Sequence, residues 1–102
     1  MTLPTQLVLR AFLEDPGTER YGLEVGDTAG LPSGTIQPIL ARLERLGWLE
    51  SRWEDVNPRT AGRPARRYYR LTTDGIELAR QGLARAYRPQ RGLAARPQPG
   101  QT

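Results

Sequence analysis

The sequence predicts a mainly α domain with a small antiparallel β-hairpin, an α+β arrangement of three helices, a two-stranded hairpin and a C-terminal helix. Three observations carry that expectation. Apolar residues at Ile36, Ile39, Leu40, Leu43 and Leu46 follow the i, i+3, i+4, i+7, i+10 series of a helix with one buried face. Two alternating, strand-like runs come next, separated by turn residues around Pro58, Gly62 and Pro64. A further stripe of Ile76, Ala79, Leu83 and Tyr87 then recurs at helical spacing.

Taken in order, residues 3–14 read as the first helix, with Pro4 in its tolerated first turn and Asp15-Pro16-Gly17 ending it. Leu3, Leu7, Val8, Ala11 and Phe12 form one face, while Leu9 and Leu13 lie on the other side. A helix apolar nearly all round needs cover on both sides, which in so small a chain a second subunit can supply. Residues 21–29 form a short second helix, in which Gly22 and Gly26 each cost about 1 kcal/mol relative to Ala, so close packing is expected there. Gly30-Leu31-Pro32 makes a turn, Ser33 is placed to cap the third helix, and Gly47 suits that helix's left-handed end. Pro38 falls early in the third helix, where a missing N–H costs least.

Residues 49–56 put Leu49, Ser51 and Trp53 on one face of the first strand, and residues 66–72 put Tyr69 and Leu71 on one face of the second. Between them residues 57–64 form a turn-rich excursion. Trp48 and Trp53, as large aromatics in a small domain, are expected in the core. Thr72 or Thr73 caps the last helix, which Asp74 complements at its positive end. That helix runs about four turns before Pro89, on about 3.6 residues per turn. Residues 88–102 lack periodicity and read as a disordered basic Pro/Gly/Gln tail, which leaves residues 1–87 as one domain.

Composition narrows the chemistry. At 102 residues the chain holds one modest core. No run approaches the ~20 apolar residues of a membrane span, and the N-terminus lacks secretory features, so a cytoplasmic, nucleoid-associated protein is expected. With no Cys and no His, the common zinc sites and most nucleophile–base pairs are removed. The adjacent acids Glu14-Asp15 and Glu54-Asp55 read as solvated surface, so no enzyme, cofactor or metal is expected. All fifteen basic residues are Arg, a choice that suits bidentate phosphate and guanine contacts and equally follows from a GC-rich genome. Their distribution says more. Residues 1–55 hold five Arg against nine acids, a net of −4, whereas residues 56–102 hold ten Arg against two, a net of +8.

A short helix, a tight turn and a second helix form the pattern of helix-turn-helix readers of double-stranded DNA. The outer face of the third helix carries Gly34, Gln37, Pro38, Ala41 and Arg45, small or polar groups suited to an external surface. Ser33 and Thr35 can bond phosphate or base edges, Gln37 can pair with adenine, and Arg42 or Arg45 with guanine or phosphate. Arg42, Glu44 and Arg45 can equally form a plain solvated face. The hairpin tip offers Arg59, Arg63, Arg66, Arg67 and Arg70, with no acid between Val56 and Thr73. These cations would repel one another unless an anion lay opposite. Arg63, slim between Gly62 and Pro64, could enter a narrow minor groove. Arg70 can instead pair with Glu50 or Glu54 across the hairpin.

Six segments in order then resemble a known family. They are Tyr21-Gly22-Leu23-Glu24-Val25, Ser33-Gly34-Thr35-Ile36-Gln37-Pro38, Arg42-Leu43-Glu44, Gly47-Trp48-Leu49-Glu50-Ser51, Gly62-Arg63-Pro64 and Arg67-Tyr68-Tyr69-Arg70-Leu71-Thr72 with Gly75. Over about residues 3–86 the chain is similar to the PadR-like winged helix-turn-helix transcriptional regulators. The resemblance implies a bacterial-type repressor that binds operator DNA as a homodimer, third helix in the major groove and wing on the backbone or minor groove. It also implies that a small aromatic or drug-like effector is possible, although the last helix has no Trp to line a flat aromatic site. The family often has Tyr where this chain has Gln37, and generally a longer C-terminal dimerisation helix. Leu9, Leu13 and Leu78 are the candidate subunit contacts on the first and last helices. The alternative is a winged-helix module that contacts protein in a phage, plasmid or transcription assembly, suggested by the acidic N-terminal half and the doubly apolar first helix.

Overall fold

A computed structural model gives the architecture, describing the backbone of residues 1–95 and the side chains of residues 1–86. In chain order the elements are α1 (Leu3–Leu13), β1 (Arg20–Tyr21), α2 (Gly22–Ala29), α3 (Ser33–Arg45), β2 (Leu49–Trp53), α4 (Pro58–Ala61), β3 (Arg67–Leu71) and α5 (Thr73–Ala95). The mainly α class with a small antiparallel sheet is as expected. Its two-stranded count is not: the sheet has three strands in the order β1-β3-β2. Tyr21, assigned from sequence to the second helix, pairs with Tyr68, and Arg20 pairs with Tyr69. A two-residue strand is too short to show alternation, so its pattern was absorbed into the adjoining helix.

α1 starts where the Thr2 hydroxyl oxygen accepts from the Thr5 N–H, and it buries Thr5, Val8, Leu9, Ala11 and Phe12. Leu9 is 0% exposed and Leu13 also packs on the core, so Leu9 is no subunit contact. Neighbouring helical residues lie about 100° apart, and α1 packs against α2, α3 and α5 at once, so one chain covers both flanks. Leu3, placed on the inner face by periodicity, is exposed.

The α2–α3 turn is built on Gly30, in the left-handed conformation at φ 72°, whose N–H donates to the Gly26 carbonyl at 2.8 Å. α3 then begins on the Pro32 carbonyl, which accepts from Thr35 and Ile36. Ser33 is thus the first helical residue and not the cap expected for it, since Pro32 already occupies the extended cap position. Ile36, Ile39, Leu40 and Leu43 fill the centre of the core. Gly47, at φ 80°, closes α3: its N–H donates to the Glu44 carbonyl and that of Trp48 to the Leu43 carbonyl, a paired ending that turns the chain into β2.

β2 and β3 pair from Leu49↔Leu71 to Trp53↔Arg67, and the Arg52 guanidinium reaches past the Tyr68 ring to hold Glu19, at 2.7 Å through each of two nitrogens. This clasp ties the β1 edge to the β2 edge across the central strand. α5 is capped by the Thr72 hydroxyl oxygen, which accepts from the Gly75 N–H at 2.8 Å, and it buries Ala79. Its backbone stays helical through Pro89 to Ala95, beyond the end expected before that proline. Proline inside a helix costs about 3 kcal/mol, but the Gln, Arg, Leu and Ala around it favour helix. The remainder of the expected tail, residues 96–102, and the Tyr87 side chain lie outside the described residues. Among the described residues no helix is long and apolar enough to cross a membrane.

Candidate nucleic-acid interface

The exposed side of α3 presents Ser33, Gln37, Ala41 and Arg45 at successive i+4 steps, a single row along the helix. Thr35 is half-buried beside this row. Arg42 is drawn away from it, its Nη2 donating to Thr5 Oγ1 of α1 at 2.7 Å. It therefore braces α3 against α1.

Next to the row lies a groove of about 320 Å³ between the start of α2, Gln37 of α3, and the wing. Tyr21, Gly22 and Leu23 form one wall, and Trp53, Arg66, Arg67 and Tyr69 the other. Two sequence-predicted arginines, Arg66 and Arg67, thus meet Gln37 in one concavity. Arg66 is held with its Cζ 4.2 Å from the centre of the Tyr21 ring; its charge acts on nearby Glu54, but its guanidinium makes no ion pair among the described residues. Arg67 is more committed. Its Cζ stands 5.1 Å from the Trp53 ring, its Nε donates to Ser51 Oγ at 3.1 Å, and its Nη2 lies 3.5 Å from Glu44 of α3.

The segment between Val56 and Thr73 does lack acids, but the expectation that its arginines repel one another unless an outside anion lies opposite is corrected here. Three of the five, Arg63, Arg67 and Arg70, are balanced by carboxylates of the chain itself, from β2, from Glu54 just after it and from α3. Arg63 makes two bonds to Glu54, Nη1 to Oε1 at 2.7 Å and Nη2 to Oε2 at 3.0 Å, while Arg70 pairs with Glu50 at 2.8 Å. Glu50 is one of the two partners expected for Arg70. Arg59 sits on α4, a short helix inside the excursion read from sequence as turn only, and its guanidinium has no acidic partner among the described residues. Arg45 is likewise exposed without an acidic partner there. Of the arginines of α3 and the wing, Arg45, Arg59 and Arg66 are thus the ones whose guanidinium has neither an ion pair nor a side-chain hydrogen bond among the described residues.

Glu54, expected on a solvated surface or opposite Arg70, has its role corrected: it is the partner of Arg63. Extending the hairpin register one step beyond Trp53↔Arg67 would have placed it opposite Arg66, whose backbone N–H it does accept, at 3.1 Å. The Arg63 guanidinium holds its carboxyl at about 2, against an ordinary 4.5; burial opposes this and the Arg66 N–H assists. A carboxyl held below its ordinary value stabilises the wing fully above about pH 4.5, and that contribution is lost as the pH falls through about 2. Carbon-detected titration of Glu54 is expected to show a midpoint near 2, moving up toward 4.5 in Arg63→Ala. An unshifted midpoint in the parent chain would refute the Arg63–Glu54 pair.

Trp53 was expected in the core and is 60% exposed, because β2 runs on past the helices that cover Leu49 and Ser51. Trp48, one residue before the strand, does pack on the core. Trp53, Tyr21 and Leu23 instead give the groove its apolar walls.

This architecture has known counterparts. The model of the transcriptional regulator PadR-like family matches residues 18–81. A PadR family transcriptional regulator from Eggerthella lenta DSM 2243 is 26% identical and superposes with a TM-score of 0.70 over 91% of this chain and 82% of its own. The PcaV transcriptional regulator from Streptomyces coelicolor, solved with its natural ligand, is 31% identical with a TM-score of 0.67 over 93% of this chain. The chain spans 62% of PcaV's length. A PadR family regulator from Clostridium difficile R20291, at 20% identity, shares the fold with a TM-score of 0.69 over 93% of this chain and 97% of its own.

Proposed function

Because the chain belongs to the transcriptional regulator PadR-like family, whose members are non-enzymatic DNA-binding proteins, we propose that it is a sequence-specific regulator that sets α3 in the major groove and its wing along the backbone and adjacent minor groove. The single observation that supports this reading is the shared groove, in which Gln37 of α3 stands beside Arg66 and Arg67 of the wing. One polyanion can meet both.

Within it Gln37 reads a base edge through its amide, Ser33 and Thr35 bond phosphate at the start of α3, and Arg45, Arg59 and Arg66 supply unneutralised charge. Arg42, Arg63 and Arg67 reach DNA only by sharing or exchanging their internal partners. The chain acts as a repressor by occupying its operator, and as a homodimer through α1 and α5. Leu13 and Leu78 remain among the contacts, and Leu9 does not. Residues 1–87 carry the DNA-binding unit.

Binding of duplexes selected from genomic fragments, followed by fluorescence anisotropy across a salt series, tests this. Log affinity is expected to fall linearly with log salt, and Arg45→Ala and Arg59→Ala each to lower the slope by about one. Arg63→Ala, whose cation Glu54 neutralises, is expected to change it less. Gln37→Ala is expected to alter base preference with the slope retained. Footprints of the dimer should protect half-sites about one helical turn, roughly 10 bp, or a multiple apart. Failure to bind any duplex at low salt would overturn the reading in favour of a protein-contacting module.

A further inference from the structure

We propose that Gly22 is a positioning residue for base readout: the bare α-carbon at the start of α2 is the seat on which the Gln37 amide rests. The inference builds on the DNA-binding reading above. An ideal Cβ at Gly22 would stand 2.7 Å from Gln37 Nε2, 3.9 Å from Gln37 Cδ and 3.8 Å from Leu40 Cδ1. Contacts below 3.0 Å are not tolerated, so something must move. Leu40 is fully buried and fixed. The Gln37 amide is the free end of an exposed side chain, so it is the group that yields.

Nothing else holds that amide. Among the described residues it makes no hydrogen bond, so its orientation comes from packing on Gly22 and its donors and acceptor remain open to a base edge. Backbone geometry does not explain the glycine. Among the described residues those with positive φ are Gly30, Gly47 and Gly62, and Gly22 is not one of them. An Ala would also favour the helix more than Gly does. The missing side chain therefore has its consequence across the groove, where a methyl would push the amide toward the wing wall formed by Arg66 and Arg67.

The test compares the parent chain with Gly22→Ala, Gln37→Ala and the double variant. Each is measured on the preferred duplex and on its single-base variants across a salt series, with unfolding midpoints alongside. The parent is expected to discriminate at one base pair by about tenfold, within the range of a bidentate amide contact. Each single variant should lose most of that discrimination, and the double variant no more than either alone, because both act through one amide. Gly22→Ala should keep the salt slope and unfold at or above the parent's midpoint. Full discrimination in Gly22→Ala, with Gln37→Ala losing it, overturns the seat and leaves the DNA reading intact. Additive losses, or a lowered slope together with a lowered midpoint, also overturn it. No change in Gln37→Ala removes both the seat and Gln37 as a reader.

Discussion

Replacing Gly75 by Ala is expected to destabilise the domain by about 3 kcal/mol, the upper part of the range for overpacking. At an exposed site inside a helix the same change would stabilise by roughly 1 kcal/mol. The sign is reversed here because an added Cβ would stand 2.0 Å from the Trp48 carbonyl oxygen and 2.8 Å from its carbon. These are backbone atoms and cannot swing aside. The Trp48 carbonyl also accepts from the Thr72 N–H at 3.0 Å, so α5 cannot retreat without breaking the junction between β3 and the helix. Thermal unfolding should show a midpoint roughly 12–24 °C lower, on about 4–8 °C per kcal/mol for a domain of this size. A loss of only a few degrees would mean that α5 does not lie so close to the turn before β2.

Phe12→Ala should cost about 3–5 kcal/mol, the range for emptying the volume of a buried ring. Phe12 is 1% exposed and clusters with Val8, Val25, Ile36 and Leu40, so the hole opens where α1 and α2 support α3. Partial collapse would fill some of it, and Phe12→Leu should recover much of the loss. Denaturant unfolding measures the difference. At a temperature where the variant remains folded, its DNA salt slope should match the parent's, since the cations that set the slope lie on the outer face of α3 and on the wing. A variant as stable as the parent would place Phe12 outside the core.

Much of this was legible in the chain. The Ile36–Leu43 periodicity identified α3 and its buried face, Gly47 marked its end, and Thr72 and Asp74 marked the start of α5. Even α4, read as turn, had a local signature: Asn57 as cap, Pro58 at the first position, and Gly62 at φ 72° as the stop. In the candidate interface, Gln37, Arg66 and Arg67 were named from sequence and meet in one groove. Trp53 was misread because alternation assigns a face of the strand but not how far the core extends along it.

Periodicity, capping residues and charge clustering are properties of neighbours along the chain, and those the residues themselves specify: the order of helices and hairpin, the identity of the reading helix, and a basic wing. Partnership across the fold is different. That Glu54 neutralises Arg63, that Arg42 turns back to Thr5, and that Gly22 underlies Gln37 each depend on segments brought together only when the core closes. Distance in space decides which cations stay free for an outside anion, because ion pairing acts over a few ångströms and carries no trace in local composition.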